Sequence, residues 1–260
     1  MSNIRKAFLN GKAFIPFITC GDPDLESTKR YVRAMAAAGA DLIELGIPFS
    51  DPTAEGPVIQ AANLRALSGG VTTDSVFQMV RELRAELTTP LVFMTYANVV
   101  FSYGIEKFVS KAEAAGIDGI IIPDVPFEES AEFAPSFESR GIDYISMIAP
   151  TSKERIREIA AKAKGFLYVV SSLGVTGERQ EIETDLKSML AQVRAAKPEL
   201  PAAIGFGIST PEQAKSMGAI ADGVIVGSAI MRIIGEKGQE AETELAAFVR
   251  EMKAAANTFF

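Results

Sequence analysis

The sequence predicts a (β/α)8 barrel, and three observations lead to that fold class. Eight short apolar or β-branched runs recur along the 260 residues, helical patterns fill the intervals, and the last two runs end in glycine. Strands that alternate with helices form parallel sheets, and eight such units in a chain of this length close into a barrel. The alternative is a doubly wound open sheet, which normally carries a glycine-rich turn after its first strand. Here the first strand runs into Cys20-Gly21-Asp22-Pro23 instead, which favours the barrel.

Element boundaries follow from patterning and from local start and stop signals. Strands are predicted over residues 14–19, 41–45, 91–95, 119–122, 144–148, 166–170, 202–205 and 223–226. Helices are predicted over 27–38, 73–87, 128–140, 153–163 and 183–195, with extra helices at the amino terminus and over 57–67. Several helices follow a residue that can cap the first turn: Asp24, Thr73 and Ser152. Glycines are placed to end others: Gly39, Gly116, Gly141 and Gly165.

Composition narrows the class of protein. A net charge of −7 leaves no basic surplus to neutralise phosphates, so nucleic-acid binding is not expected. No apolar run approaches the roughly 20 residues of a membrane-spanning helix, and the amino terminus lacks the apolar core of a signal peptide. With one cysteine, Cys20, an internal disulfide is excluded. We expect one cytoplasmic domain over residues 1–260.

Carboxylates dominate the candidate chemistry because the chain contains no histidine. Glu44 ends the second predicted strand, and Asp51 and Glu55 lie in the loop that follows. The carboxyl ends of parallel strands are where α/β barrels keep their active sites. The structural alternatives are an ion pair for Glu44 and solvated loop carboxylates for Asp51 and Glu55.

Further candidates lie at other strand ends. Asp124 can orient a neighbour or cap a turn, and Tyr96 and Tyr168 are either active-site or rim aromatics. Phe17 and Met94 can floor an aromatic-sized pocket or belong to the core. Cys20 is interpreted as a small buried residue.

The last two strands predict a phosphate site. They run into Gly205-Phe206-Gly207 and Gly227-Ser228, and a helix begins after each. Free amides and the helix dipole favour an anion there, and residues 174–177 can add further amides. The alternative is that these glycines only form tight turns.

Residue types that are missing from the chain or from its predicted strand ends disfavour some classes of reaction. No predicted strand ends in lysine, which disfavours a Schiff-base aldolase, and the lack of histidine disfavours a zinc aldolase. A magnesium site built from carboxylates alone has no support in the sequence. The residues therefore predict proton transfer by carboxylates on a phosphate-anchored small molecule, with no metal or cofactor.

With these segments in place, the chain resembles the α subunits of tryptophan synthase over nearly its whole length. The segments that carry the resemblance are residues 44–57, 96–98, 123–126, 174–177, 205–209 and 227–228. The resemblance implies a (β/α)8 barrel that cleaves indole-3-glycerol phosphate to indole and glyceraldehyde 3-phosphate. It also implies that indole passes to a pyridoxal-phosphate-dependent β subunit in an α2β2 heterotetramer.

The resemblance assigns roles to individual residues. It makes Glu44 the proton carrier to indole C3, Glu55 the partner of the indole N–H, and Tyr168 a neighbour of the glycerol chain. Phosphate amides are implied at Gly177, Phe206, Gly207, Gly227 and Ser228. Phe17 and Met94 would line the indole pocket, and three residues would face the β subunit: Asp51, Tyr96 and Asn98.

The sequence departs from the family in one place and leaves two other functions open. The family most often has an apolar residue and aspartate where this chain has Thr53 and Glu55. A different phosphate-binding barrel enzyme would need a strand-end lysine or metal-binding histidines. A non-catalytic subunit that only activates its β partner is the second alternative.

Overall fold

Parallel strands build the centre of the molecule, whose computed structural model describes residues 3–171 and 186–258. Within these ranges the strands are β1 Ala13–Thr19, β2 Ile43–Gly46, β3 Leu91–Met94, β4 Gly119–Ile121, β5 Asp143–Tyr144, β6 Met147–Ile148, β7 Leu167–Val170, β8 Ala202–Gly205 and β9 Gly223–Val226. Their order in the sheet is β5-β4-β3-β2-β1-β9-β8-β7-β6. All pairs are parallel, as expected for strands that are apolar on both faces.

The sheet closes on itself through the segment 143–148. β5 pairs with β4, β6 pairs with β7, and only two residues separate β5 from β6. Of those two, Ile145 donates its N–H to Ile120 O at 2.9 Å, and Ser146 O accepts from Tyr168 N at 3.0 Å. One chain segment is therefore hydrogen-bonded on both sides, which makes it the fifth strand of a (β/α)8 barrel. The fold class is confirmed, but this strand, predicted as continuous over 144–148, is interrupted.

Helices surround the barrel. They are α1 Asn3–Lys6, α2 Leu25–Ala37, α3 Pro57–Ser68, α4 Thr73–Arg84, α5 Ala97–Tyr103, α6 Ile105–Ala115, α7 Ala134–Glu138, α8 Ile156–Lys162, α9 Leu186–Ala196, α10 Pro211–Gly218, α11 Ser228–Lys237 and α12 Glu242–Ala256. Three 3-10 helices accompany them at Phe127–Glu132, Pro150–Arg155 and Gly238–Glu240. Both extra helices, α1 and α3, are present. No helix within the described part of the chain is long and apolar enough to cross a membrane.

The capping residues predicted for the helix starts are confirmed in part. Asp24 caps α2 by accepting from Ser27 N at 2.7 Å. Thr73 was the wrong cap for α4, because the capping residue is Thr72, which accepts from Ser75 N at 3.2 Å. Ser75 returns the bond by accepting from Thr72 N at 3.0 Å, so the helix gains a reciprocal cap one residue earlier than predicted.

The glycines predicted at the carboxyl ends of helices are confirmed. The four glycines predicted to end helices all have positive φ, a conformation that glycine adopts without strain: Gly39, Gly116, Gly141 and Gly165.

Two predicted helices are broken. The segment 128–140 is a 3-10 helix followed by α7, and Pro135, near the start of α7, has no N–H to continue a preceding helix. The segment 153–163 is likewise divided. There Ser152 lies inside the 3-10 helix Pro150–Arg155 and accepts from Ala149 N at 3.0 Å, and Lys153 has φ 42°.

The barrel interior is filled below the carboxyl ends of the strands. Side chains from most strands form one inner cluster, including Ile15, Leu42, Val92, Ile121 and Ile225. The amino-terminal segment closes the opposite end, where a Cβ at Gly119 would lie 2.6 Å from Ile4 Cδ1 and one at Gly223 would lie 3.1 Å from Phe8 Cε1. Space for a ligand therefore remains at the carboxyl ends of the strands, the end where barrels keep their active sites.

Candidate active site

A cavity opens at the carboxyl ends of the strands and brings the predicted site residues together. Its walls are Phe17, Glu44, Ala54, Glu55, Ile59, Met94, Pro123, Tyr168, Phe206, Gly207, Ile208, Ile225, Gly227 and Ser228. These include every residue predicted for catalysis or substrate binding except Gly177, which lies outside the described residues. The cavity is mostly apolar, with two carboxyl groups and two glycine-containing turns as its polar features.

Glu44 is buried in β2, away from water and from polar partners among the described residues. Its side chain is 0% exposed, and neither carboxyl oxygen has a hydrogen-bond partner within residues 3–171 and 186–258. Burial raises the pKa of Glu44 from 4.5 to about 8, because the charged form loses its hydration. The ion pair considered as its structural alternative is therefore absent from the described chain. At neutral pH this carboxyl holds a proton.

Glu55 differs from Glu44 because its carboxylate accepts a hydrogen bond from another side chain. Asn63 Nδ2 donates to Glu55 Oε2 at 2.5 Å, and the Tyr96 hydroxyl accepts from Ala54 N, the amide directly before Glu55. Burial raises the pKa of Glu55 from 4.5 to about 7, and the bonds from Asn63 and Tyr96 oppose that rise. Glu55 is therefore ionised more easily than Glu44.

Two strand-end glycines leave room for the cavity's aromatic side chains. A Cβ at Gly46 would lie 2.6 Å from Phe17 Cζ, and one at Gly205 would lie 2.5 Å from Tyr168 Oη. Such distances are far below van der Waals contact, so each glycine admits a ring. Burial and the nearby Glu44 raise the pKa of Tyr168, which keeps its phenol neutral. The Phe206 ring packs against Tyr168 at 5.9 Å between centroids, nearly edge-on.

The turn after β8 has unusual backbone geometry. Phe206 has φ 74° and Gly207 has φ 76°, and the left-handed conformation is costly for a phenylalanine. The Ser171 hydroxyl donates to the Phe206 carbonyl and helps to hold the turn.

The turn after β9 leads directly into a helix. Gly227 precedes α11, and the first amides of a helix have no acceptor within it. Gly227 and Ser228 line the cavity, so the positive end of the α11 dipole lies at its rim. These two turns are suited to bind an anionic group.

The three residues predicted to face a partner separate into two kinds. Asp51 and Asn98 are exposed, whereas Tyr96 is 2% exposed and its hydroxyl accepts from Ala54 N at 3.2 Å. Asp124 accepts from Ala97 N, at 3.0 Å to one oxygen, and so caps α5, one of the roles predicted for it. Cys20 is fully buried, as expected.

Asn63 is the site residue that the sequence did not reveal. It lies in the middle of α3, eight residues after Glu55, in a stretch with no catalytic signature. Helical spacing from Gly56 could have indicated that Asn63 faces inward with Ile59, because both are buried on one side of α3.

Comparison with known proteins gives a consistent result. The sequence profile of the family described as "Tryptophan synthase alpha chain" matches residues 4–258. The chain is 49% identical over 255 residues to the tryptophan synthase alpha chain of Lacticaseibacillus casei, covering 98% of this chain and 96% of the relative. It is 50% identical over 256 residues to that of Lactiplantibacillus plantarum, with the same coverage.

Solved structures agree with these sequence matches. The crystal structure of a tryptophan synthase alpha chain from Legionella pneumophila superposes with a TM-score of 0.88 at 36% identity, covering 100% of this chain and 98% of that one. A chain from the tryptophan synthase a2b2 complex of Pyrococcus furiosus superposes with a TM-score of 0.84 at 39% identity, covering 93% of this chain and 98% of that one.

Proposed function

The chain belongs to the family of tryptophan synthase alpha chains, and we propose that Glu44 and Glu55 carry out its reaction as acid and as anchor of the indole nitrogen. The protein is a lyase that cleaves indole-3-glycerol phosphate to indole and glyceraldehyde 3-phosphate. The observation that carries the assignment is the buried, unpartnered and therefore protonated carboxyl of Glu44, which is a proton donor placed in an apolar cavity.

Glu44 begins the reaction by protonating indole C3. This step converts the indole to an indolenine cation, whose C=N bond can accept the electron pair of the bond to the glycerol chain. An acid with a pKa of about 8 is protonated at neutral pH, so it can donate that proton to indole C3 when the substrate is bound. The built-in electron acceptor removes any need for a lysine or a metal ion in bond cleavage.

Glu55 stabilises the charge that develops on the indole nitrogen. Its ionised carboxylate accepts the indole N–H, and the interaction strengthens as that nitrogen becomes cationic. Phe17 and Met94 flank the indole ring, while Tyr168 lies on the side of the glycerol chain.

Bond cleavage then restores the protonation of the site. The bond between indole C3 and the glycerol carbon breaks, its electrons neutralise the C=N cation, and the glycerol hydroxyl loses a proton as the aldehyde forms. One proton has entered at C3 and one has left the hydroxyl. The carboxylate of Glu44 accepts that second proton and returns to its starting form.

The turns after β8 and β9 anchor the substrate phosphate. Phe206, Gly207, Gly227 and Ser228 line the cavity, and their amides are proposed to bind the phosphate, with a further amide from Gly177. Binding energy from the remote phosphate then holds the indole ring against Glu44 and Glu55.

The protein pairs with a tryptophan synthase β subunit. We propose an α2β2 heterotetramer in which indole passes to the β subunit's pyridoxal-phosphate site. Asp51 and Asn98 are exposed and are the proposed contacts, whereas Tyr96 is buried. A single domain over residues 1–260 and a cytoplasmic location complete the proposal.

Release of indole from indole-3-glycerol phosphate tests the assignment. The free protein should release indole, and addition of a β subunit should change the rate. Glu44→Gln keeps the shape of the side chain but removes the transferable proton, so kcat should fall by about 10²-fold or more. A folded Glu44→Gln protein with wild-type kcat would remove Glu44 from the mechanism.

A further inference from the structure

The Glu55 carboxylate is held by side chains from two other elements. Asn63, on α3, donates to Glu55 Oε2 at 2.5 Å, and Tyr96, at the amino end of α5, favours the ionised form of the same carboxyl group. Glu55 is 6% exposed, Asn63 is 3% exposed and Tyr96 is 2% exposed. Water therefore has little access to this cluster, and its hydrogen bonds are not replaced by solvent when one is lost.

The Tyr96 hydroxyl accepts a hydrogen bond from the backbone of the loop that carries Glu55. It accepts from Ala54 N at 3.2 Å, the amide directly before Glu55. Tyr96 therefore holds the backbone of this turn directly before Glu55.

Helix α3 supplies two amide side chains, which act on different parts of Glu55. Gln60 Nε2 donates to the Glu55 main-chain oxygen at 2.8 Å, whereas Asn63 donates to the carboxylate itself. Gln60 thus fixes the loop, and Asn63 is left to fix the direction of the side chain.

We infer that Asn63 is a positioning residue for Glu55: its amide aims the carboxylate into the cavity and favours the ionised form. The inference rests on the proposed function, because an aimed and ionised Glu55 matters for catalysis only if Glu55 accepts the indole N–H. Other titratable groups face this cluster. Glu44 lines the same cavity, and Asp124 acts on Tyr96, whose pKa it raises.

Two readouts on the full-length protein separate the inference from the proposed function. Carboxyl carbon NMR, with the Glu55 signal assigned by its loss in Glu55→Gln, follows the titration of Glu55 without substrate. The pH dependence of kcat/KM follows the group that must be ionised for turnover. Each is measured in wild type, Asn63→Ala, Asn63→Asp and the matched control Gln60→Ala.

Loss of the amide donor should make Glu55 harder to ionise. In Asn63→Ala the Glu55 titration should move upward by about one pH unit, because a hydrogen bond to a charged group is lost. Asn63→Asp keeps the volume but places a second carboxyl group against the first, so the upward shift should be larger. In Gln60→Ala the Glu55 titration should stay at its wild-type midpoint.

A length exchange provides a rescue. The double variant Asn63→Gln with Glu55→Asp moves one methylene from the acid to the amide and keeps their combined reach. Its carboxyl titration should lie below that of Glu55→Asp alone.

The outcomes are distinct. Upward shifts of both the NMR titration and the acidic limb of kcat/KM support the inference. An NMR shift without a change in kcat/KM supports positioning by Asn63 but overturns the proposed role of Glu55. An unchanged NMR midpoint in Asn63→Asp overturns the inference, and this variant keeps the test open if Asn63→Ala does not fold.

Discussion

Phe17 occupies the space that a side chain at Gly46 would fill. The two residues lie on adjacent strands, where Phe17 pairs with Glu44 and Thr19 pairs with Gly46. A Cβ at Gly46 would lie 2.6 Å from Phe17 Cζ and 2.8 Å from Cε2. The ring therefore leans over the end of β2, beside the proposed acid Glu44, and its position depends on the missing side chain.

Gly46→Ala should push the Phe17 ring into the indole pocket. The strand conformation of Gly46 suits alanine, so the protein should fold, while crowding of the ring should raise KM by about 10-fold, within the usual cost of overpacking. Steady-state assay of indole release checks this. Combining Gly46→Ala with Phe17→Leu should recover part of the loss, and simple additivity of the two changes would contradict the steric explanation.

The pH profile of kcat/KM should be bell-shaped. Turnover needs Glu55 ionised and Glu44 protonated, and the pKa values of about 7 and about 8 place the two limbs on either side of a narrow optimum. Residual activity in Glu44→Gln should lack the basic limb, and residual activity in Glu55→Gln should lack the acidic limb. A profile that is flat from pH 6 to pH 9 would speak against both assignments.

Glu44 should also make stability depend on pH. Its pKa is about 8 in the folded protein and 4.5 as its ordinary value, so between these values the folded state holds a proton that the unfolded state has released. This contribution to folding is therefore largest below pH 4.5 and declines until about pH 8, by about 1.4 kcal/mol per pH unit.

Urea unfolding at several pH values tests this linkage. Glu44→Gln cannot titrate. The free energy of unfolding of Glu44→Gln minus that of wild type should therefore increase as pH rises from 4.5 to 8. Glu154→Gln, at an exposed carboxyl on the surface, is a control for changes in net charge. A constant difference between Glu44→Gln and wild type across this range would mean that Glu44 is ionised in the folded protein.

Ser228→Asp should weaken substrate binding without harming the fold. Ser228 is the first residue of α11, where a carboxylate interacts favourably with the helix dipole, so Tm should hold or rise. The same carboxylate would repel the substrate phosphate and should raise KM strongly. Ser228→Ala keeps the backbone amide and should bind nearly as wild type does. Normal KM in Ser228→Asp would place the phosphate elsewhere.

Glu55→Asp should lose activity, although the family resemblance implies aspartate at this position. The shorter side chain stops about 1.5 Å, or one carbon–carbon bond, short of Asn63, which now meets Glu55 at 2.5 Å. A misplacement of this size can lower turnover by about 10²-fold. Glu55→Ala should be at least as impaired. If Glu55→Asp matched wild type in kcat, the loop would accept either length.

The order of elements could be predicted from the sequence because each strand and helix has a local pattern. The bounds of β8 and β9 were predicted without error. Glu44 and Tyr168 lie in the strands predicted for them, but each is the second residue of four and not the strand end that was predicted. The interruption between Tyr144 and Met147 could not be predicted, because it depends on how one segment pairs with two different strands, β4 before the interruption and β7 after it.

Contacts between distant residues were the part that the sequence could not supply. Gly205 was interpreted as a point of ligand approach, yet its missing side chain accommodates Tyr168, a residue on the adjacent strand. Asn63 and Tyr96 gave no local sign that they meet Glu55. Such relationships depend on register and on how a loop returns to the barrel, which no periodic pattern records.

The interrupted fifth strand gives the barrel an uneven ring of hydrogen bonds. β1 and β9 pair through four residues, whereas β4 with β5, β6 with β7 and β8 with β9 pair through two each. Backbone amides at this seam should therefore exchange with deuterium before those of β1, because the ring parts most readily where it has the fewest bonds. Tyr168 lies in β7, which borders the seam, so we expect part of the active site to stand on a wall of the barrel that opens more readily than β1 does.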